Sequence, residues 1–383
     1  MRQFQEELPL AGIKVLELAQ MIAAPSAGLL LADYGADVIK VEPPGGDSAR
    51  QLKSPSARDL TVAPVFTGYN RNKRLVREDL RQPESRERIL RLAEQADILI
   101  EASRPGVMER LGLGPDVLLQ RNPGLVYASV SGFGWGKQGR ERGGVDIVVQ
   151  AESGIMSTTG YPDGPPTKVG FTIVDAACGH ALCHGILAAL FRRARTGRGD
   201  VVRISLYEMA LNLQTGPLCE FLATGQQSPR PGNSAPLSAP ADAFRCKDGY
   251  LIVSAYLQPH WEAFTSLIGL PELVQDPRFA SGPERAAHRA ALTPLIEERM
   301  TTQEARVWAK RLRQQGIVCG LVKDYHAVAQ DPLTLECDMF THTPEAPAIR
   351  SPITLGRTRS QEILAPANEP STTITFRSQH ESR

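Results

Sequence analysis

The stretch from residue 13 to residue 42 constrains the fold more than any other. Residues 13–19 (IKVLELA) read as a buried strand. Pro25 then opens a helix, PSAGLLLADYG, which stops at Gly35, and residues 37–42 (DVIKVE) form a second strand. Strand, helix and strand at this spacing make a βαβ unit, with parallel strands and a right-handed crossover. A chain that starts this way commits to an α/β sheet covered by helices on both faces. The loop after the first strand, residues 20–24, falls at a strand C-terminal end, where open parallel sheets bind ligands. It is no dinucleotide fingerprint, because G-x-G-x-x-G is missing.

The alternation continues. Helical periodicity occupies residues 84–96, followed by strand 97–101 (DILIE), strand 125–130 (LVYASV) and a glycine-rich turn, SGFGWG. This predicts a Rossmann-like, doubly wound domain. Within it, YNRNKRL (residues 69–75) sets Arg71, Lys73 and Arg74 within four positions, as a solvated basic turn or as a phosphate clamp. Residues 144–154 read as a helix-like connection and 160–166 (GYPDGPP) as a turn. Residues 169–174 are β-prone, and 176–193 form a long apolar helix ended by basic residues and Gly197. A strand follows. Asp175 stands at the joint, at or near the N-cap. It either caps the helix or serves as a nucleophile. Facing free amides and the positive helix end, it is expected to stay ionised, and such a carboxylate can attack an activated acyl group to form an anhydride.

At 383 residues the chain is expected to hold two domains: a large one over 1–224, a small α+β one over 225–330, and a return of 331–383 to the first. Residues 205–224 read as one helix, and 225–240, rich in Pro, Gly and Ser, as the boundary. A hairpin over 243–255 turns at Asp248-Gly249. Helices follow over 259–268, 285–300 and 302–315, the last started by Thr301-x-x-Glu304, and another around 325–329. Residues 346–361 hold strand-like pieces, and about the last 20 are expected to be poorly ordered.

Lys and Arg total 43 against 42 Asp and Glu, so the net charge of +1 gives no field for nucleic acid or an anionic membrane. The six cysteines show no C-x-x-C spacing and read as reduced, packed thiols. The N-terminal residues lack a secretory apolar core, and the apolar runs are broken short of the roughly 20 residues that span a bilayer. The expected location is cytoplasmic. His180 and His184 share a helix face, where packing outweighs metal binding, and no metal site is expected.

Several stretches, namely residues 10–47 (LAGIKVLELAQMIAAPSAGLLLADYGADVIKVEPPGGD), YNRNKRL, DILIEASRPGVMERLGLG and TGRGDVVRISLYEMAL, together resemble the family III CoA-transferases, whose superfamily includes formyl-CoA transferase, carnitine CoA-transferase and α-methylacyl-CoA racemase. The resemblance covers residues 8–345. It implies a Rossmann-like domain, a smaller domain, a C-terminal return and two interlocked ring-shaped subunits. The family's nucleophilic aspartate falls on Asp175. Its thioester-side loop falls on Gln20, Met21, Ile22 and Ala23, and its CoA phosphate and adenine contacts fall near Lys73, Arg74, Ala102, Ser103 and Arg110. The loop that shields the intermediate falls on Gly232, Asn233 and Ser234, here not a run of glycines.

The resemblance implies CoA thioesters and small carboxylic acids as substrates, no permanently bound cofactor, and no membrane or nucleic-acid partner. Small dicarboxylates with succinyl-CoA as donor are the expected pair, with Arg50, Arg142 or Arg245 as readers of a distal carboxylate. Racemisation of a 2-methylacyl-CoA is the alternative. A CoA-binding protein without activity is a third reading. The racemases' His-Asp pair is Val145-Asp146 here and their small-domain glutamate is Gln258, which favours transfer because neither Val nor Gln carries a proton. Ile22 stands where formyl-CoA transferase has glutamine, which disfavours formyl and oxalyl groups.

Overall fold

Val15, Leu16 and Glu17 are all fully buried in one strand, β1 (Lys14–Leu18). Three consecutive buried residues require cover on both faces of the sheet. The structure, a computed structural model, describes residues 8–236, 238–342, 347–355, 364, 366, 371 and 375–377. The chain divides into two compact units: Met1–Ile155 with Val169–Gly225 and Glu336–Arg383, and Met156–Lys168 with Gln226–Leu335.

The first unit follows β1 with α1 (Ala23–Asp33), β2 (Asp37–Glu42), α2 (Pro64–Asn70), β3 (Arg74–Arg77), α3 (Pro83–Gln95), β4 (Ile98–Glu101), α4 (Val107–Arg110), α5 (Pro115–Arg121) and β5 (Val126–Ser131). Then come α6 (Asp146–Glu152), α7 (Ile155–Thr158), α8 (Ile173–Thr196), β6 (Asp200–Ser205), α9 (Leu206–Leu213) and α10 (Thr215–Thr224). The six strands are parallel in the order β3-β2-β1-β4-β5-β6. This is the order of doubly wound nucleotide-binding sheets, with its switch point between β1 and β4. Val126, Ala128 and Val130 face a core shared with α1 and α8, while Leu125 and Tyr127 face the opposite core, shared with α3 and α5.

The second unit builds an antiparallel sheet, β7-β8-β9 (Ala241–Cys246, Gly249–Ser254, Val318–Leu321), against α11 (Gln258–Ile268), α12 (Gly282–Ala287), α13 (Arg289–Met300) and α14 (Ala305–Gln314). The helices α15 (Tyr325–Ala329) and α16 (Pro332–Glu336) follow, and β10 (Phe340–His342) pairs with β11 (Pro347–Ile349) in the C-terminal return. Residues 156–168, read from sequence as part of the large domain, belong to the second unit for a local reason. Arg230 donates to the carbonyls of Tyr161 and Pro162, and Gly232 N donates to Gly160 O at 2.9 Å.

Other boundaries moved. Residues 205–224 form two helices, since Pro217 has no amide to offer Leu213 and Gln214 turns its side chain onto Ser153 O and Ala210 O. Cys246 pairs with Gly249, so the hairpin turn is Lys247-Asp248. Asp248 then accepts from Ala305 N at 2.7 Å and starts α14, in place of Thr301. Residues 285–300 break at His288. Strands β3 and β9 were not foreseen. Cys219 and Cys337 are exposed, whereas Cys178, Cys183 and Cys246 are buried. His180 and His184 lie on the exposed side of α8. That helix is, against expectation, long and apolar enough to cross a membrane by length and composition alone, but its inner face packs in the sheet core. The expected poorly ordered tail lies largely outside the described residues.

Gly179 fixes the approach of α8 to α1. A Cβ built there would stand 2.3 Å from Ser26 Cβ and 2.7 Å from Ala23 O. Gly179→Ala is therefore expected to destabilise the protein by about 2 kcal/mol, read by urea unfolding, because the two helix backbones must separate.

Candidate active site

The loop at the switch point is held in an unusual conformation. Met21 adopts φ 70°, a left-handed value that costs a side-chain-bearing residue energy and persists only where its surroundings impose it. Its amide donates to Asp47 Oδ1 at 3.1 Å, and the exposed Gln20 accepts from Ser48 N at 3.2 Å. Ile22, buried and apolar, is the N-cap of α1 and offers no side-chain cap; the first turn holds no acid. The positive end of an 11-residue helix thus opens at this loop with no side-chain cap of its own. Leu18 pairs with Glu101, which brings Ala102 and Ser103 alongside. Ala102 is exposed, and Ser103 N donates to Glu101 Oε2 at 2.7 Å. Burial pushes the Glu101 carboxyl up to about 7.

Asp175 stands in the first turn of α8, which begins at Ile173 with Thr172 as N-cap. It is thus the third residue of the helix and no cap, and residues 169–172 form no strand. The cap comes from elsewhere: Asp146 Oδ2 accepts from Val174 N at 2.9 Å and Asp175 N at 3.2 Å. Asp146 is itself held by Gln150, whose other side-chain atom accepts from Val169 N at 2.9 Å. With that task taken, the Asp175 carboxyl is free for another. It lies one turn before Gly179 on the same helix face, toward the end of α8 that meets the start of α1. Tyr69 is its neighbour: the Asp175 charge pushes the Tyr69 phenol up, after burial, and the phenol hydrogen-bonds Thr172.

The surroundings expected to keep Asp175 ionised are not found. Burial, then the Asp146 charge, push it up to about 7. The amides expected to hold its charge are spent on Asp146. If the ionised form reacts, kcat/KM falls as pH drops through about 7 in the free enzyme. A pH profile of kcat/KM from 5 to 9 checks this, the acid limb being near about 7 rather than the usual carboxylate range near about 4.

Other foreseen residues are placed differently. Lys73 is no surface clamp: its side chain is fully buried, with Nζ 2.8 Å from Glu17 Oε2 and 2.8 Å from Pro25 O, and burial lowers its pKa to about 8. Arg74 pairs with Asp37 at 3.0 Å and donates to Thr375 O; Arg71 pairs with Asp33. All three basic side chains of that segment have internal partners. Arg110 remains exposed, beside Gly106.

Gly232, Asn233 and Ser234 belong to the second unit, where Asn233 Nδ2 donates to the Tyr161 hydroxyl at 3.1 Å and Ser234 bridges to Asp242. Arg50 pairs with Glu42 and Arg142 with Glu152, while Arg245 is exposed. Val145 is exposed, and Gln258 Oε1 accepts from Arg285 at 3.1 Å. Sequence reading missed Tyr69 and the capping role of Asp146, since neither carries a local signal.

The model of CoA-transferase family III matches residues 10–371. A probable fatty acyl-CoA transferase of Mycobacterium tuberculosis is 40% identical over 341 residues, 86% of each chain. A succinyl-CoA–D-citramalate CoA-transferase of Chloroflexus aurantiacus is 35% identical, covering 89% of this chain and 86% of that one. The crystal structure of a CaiB/BaiF family protein from Brucella suis superposes with a TM-score of 0.87 at 35% identity, over 94% of this chain and 97% of that one.

Proposed function

The chain belongs to CoA-transferase family III, enzymes that transfer coenzyme A, and from that premise we propose that it moves CoA from an acyl-CoA to a free carboxylate through covalent intermediates on Asp175. The observation that carries the reading is the carboxyl group in the first turn of α8, relieved of capping by Asp146, one turn before the glycine at which α8 meets the start of α1.

The ionised Asp175 attacks the thioester carbonyl and expels CoA thiolate, leaving a mixed anhydride. Thiolate attacks the aspartyl carbonyl and releases the donor acid, leaving an aspartyl-CoA thioester. The acceptor carboxylate attacks that carbonyl and frees thiolate again. Thiolate then attacks the new acyl carbonyl, giving the product thioester and restoring Asp175. Every step exchanges one acyl bond for another, so thioester energy is conserved. The open end of α1 supplies amides and a positive dipole for the oxyanion. Ala102, Ser103 and Arg110 are the CoA-side contacts of this reading.

A carboxyl group with pKa about 7 also suits proton exchange at an α-carbon. The partner positions for that chemistry, Val145 and Gln258, carry no titrating group, which favours transfer. Deuterium entering the α-carbon of a 2-methylacyl-CoA without an acceptor acid would reverse that choice. For substrates we propose small dicarboxylates with succinyl-CoA as donor; the buried Ile22 provides no polar contact for a formyl or oxalyl group.

The test is a panel of donors and acceptors, fatty acids included, read by mass spectrometry of the CoA thioesters. New thioester with a dicarboxylate acceptor supports the assignment, and turnover confined to fatty acids overturns its substrate part. We further propose an interlocked homodimer acting in the cytoplasm. Phe171, Phe191, Leu213 and Leu222 are large apolar side chains exposed on the first unit, of the kind a second copy would cover. Sedimentation equilibrium is expected to give twice the chain mass, and a single-chain mass counts against the dimer.

A further inference from the structure

Four ionisable side chains meet beneath the switch-point loop. Glu17 on β1, Lys40 on β2, Asp47 and Lys73 are all buried, Glu17 and Lys40 at 0% exposure. Lys40 Nζ lies 3.0 Å from Glu17 Oε1 and 2.8 Å from Asp47 Oδ2, and Lys73 Nζ lies 2.8 Å from Glu17 Oε2. Two positive and two negative charges balance. Gly28 of α1 makes the room, since a Cβ there would stand 1.9 Å from Glu17 Oε2.

Each outer member also grips the backbone of the loop. Lys40 Nζ donates to Ala19 O at 2.6 Å, immediately before it. Asp47 Oδ1 accepts from Met21 N at 3.1 Å, inside it. Lys73 Nζ donates to Pro25 O at 2.8 Å, after it. The loop is thus fastened at its entry, its left-handed residue and its exit by one cluster. Stability alone is a poor reason to keep such a cluster, because apolar replacements of buried ion pairs are often neutral or stabilising. Holding a backbone where it would not otherwise lie is a better one.

We infer that the Glu17–Lys40–Asp47–Lys73 cluster is a positioning device for the acyl-transfer step, fixing residues 20–24 in the conformation that receives the thioester carbonyl. The four are positioning residues and touch no substrate. This rests on the proposed role of the loop and of Asp175.

The test is the charge-balanced double variant Glu17→Gln/Lys73→Met, compared with wild type and Asp175→Ala. The introduced glutamine side chain would still accept from Lys40, and Lys40 and Asp47 would still pair. The expected results are a melting temperature close to wild type, amide exchange in residues 19–25 faster by about tenfold with α8 unchanged, kcat lower by about tenfold, and KM for the acyl-CoA within about threefold. Wild-type kcat, or unchanged exchange in residues 19–25, overturns the inference. Asp47→Asn keeps the shape and drops the charge; should the double variant fail to fold, Asp47→Asn is expected to show the same two changes at about threefold, and neither change in it overturns the inference. Asp175→Ala is expected to lose turnover with loop exchange unchanged. Turnover by that variant sinks the site assignment while leaving the exchange result to judge the cluster.

Discussion

Replacing Asp175 with alanine is expected to lower CoA transfer by at least about a thousandfold while the affinity for an acyl-CoA stays within about threefold. In the proposed mechanism the loss falls on kcat because the carboxylate forms the bond that defines the reaction, and no other ionisable side chain shares the first turn of α8. On the proposed reading the affinity survives because its CoA-side contacts, Ala102, Ser103 and Arg110, follow β4 and lie outside α8. Steady-state kinetics with a binding titration separates the two effects.

The same residue predicts a stability change. A carboxyl group raised to about 7 in the fold stabilises the folded state fully below its unfolded value of 3.8 and loses that contribution as pH rises through about 7. Asp175→Asn should therefore melt above wild type at pH 8, with the gap narrowing toward pH 4. A variant that is more stable and inactive at pH 8 is the signature of a group held at a cost for chemistry.

The second large effect is expected at Asp146. Asp146→Ala leaves the amides of Val174 and Asp175 and the side-chain amide of Gln150 without their acceptor. The expected loss is about 3 kcal/mol of unfolding free energy, measured in urea. The rate should fall by about tenfold or more, since the first turn of α8 carries Asp175 and loses its register. The acid limb of kcat/KM should move to lower pH, because a like charge beside Asp175 has gone. Asp146→Asn should show the same direction of shift with a smaller stability loss, as one oxygen remains to accept. A limb that stays in place in both variants would show that Asp146 does not act on Asp175 electrostatically.

The sheet was legible because its signals are local. The strand read at 37–42 spans the same residues in the fold, and the helices and strands around 84–101 and 125–130 moved by a residue or two. The joint at Asp175 was legible as a helix start, but the choice between cap and free carboxyl group was not, because the cap is supplied from 29 residues away. A local reading gives a helix its nearest Asp. The basic run around Lys73 misled for a related reason: sequence shows a charge and hides its partner.

The signal that was present lies in Glu17 and Lys40, charged residues inside otherwise apolar strands of a sheet covered on both faces. Such residues must meet a counter-charge, and Lys73 supplies half of it. The raised pKa of Asp175 was beyond sequence, because it depends on burial and on a second carboxylate brought near by the fold.

The most direct measurement of the central claim is chemical trapping. The enzyme is mixed with an acyl-CoA donor, quenched with hydroxylamine and digested, and the peptide bearing residue 175 is sequenced by tandem mass spectrometry. The account predicts a hydroxamate on Asp175, formed only when donor is present. A hydroxamate on a different residue, or an unmodified Asp175 in a sample that turns over under the same conditions, would contradict it.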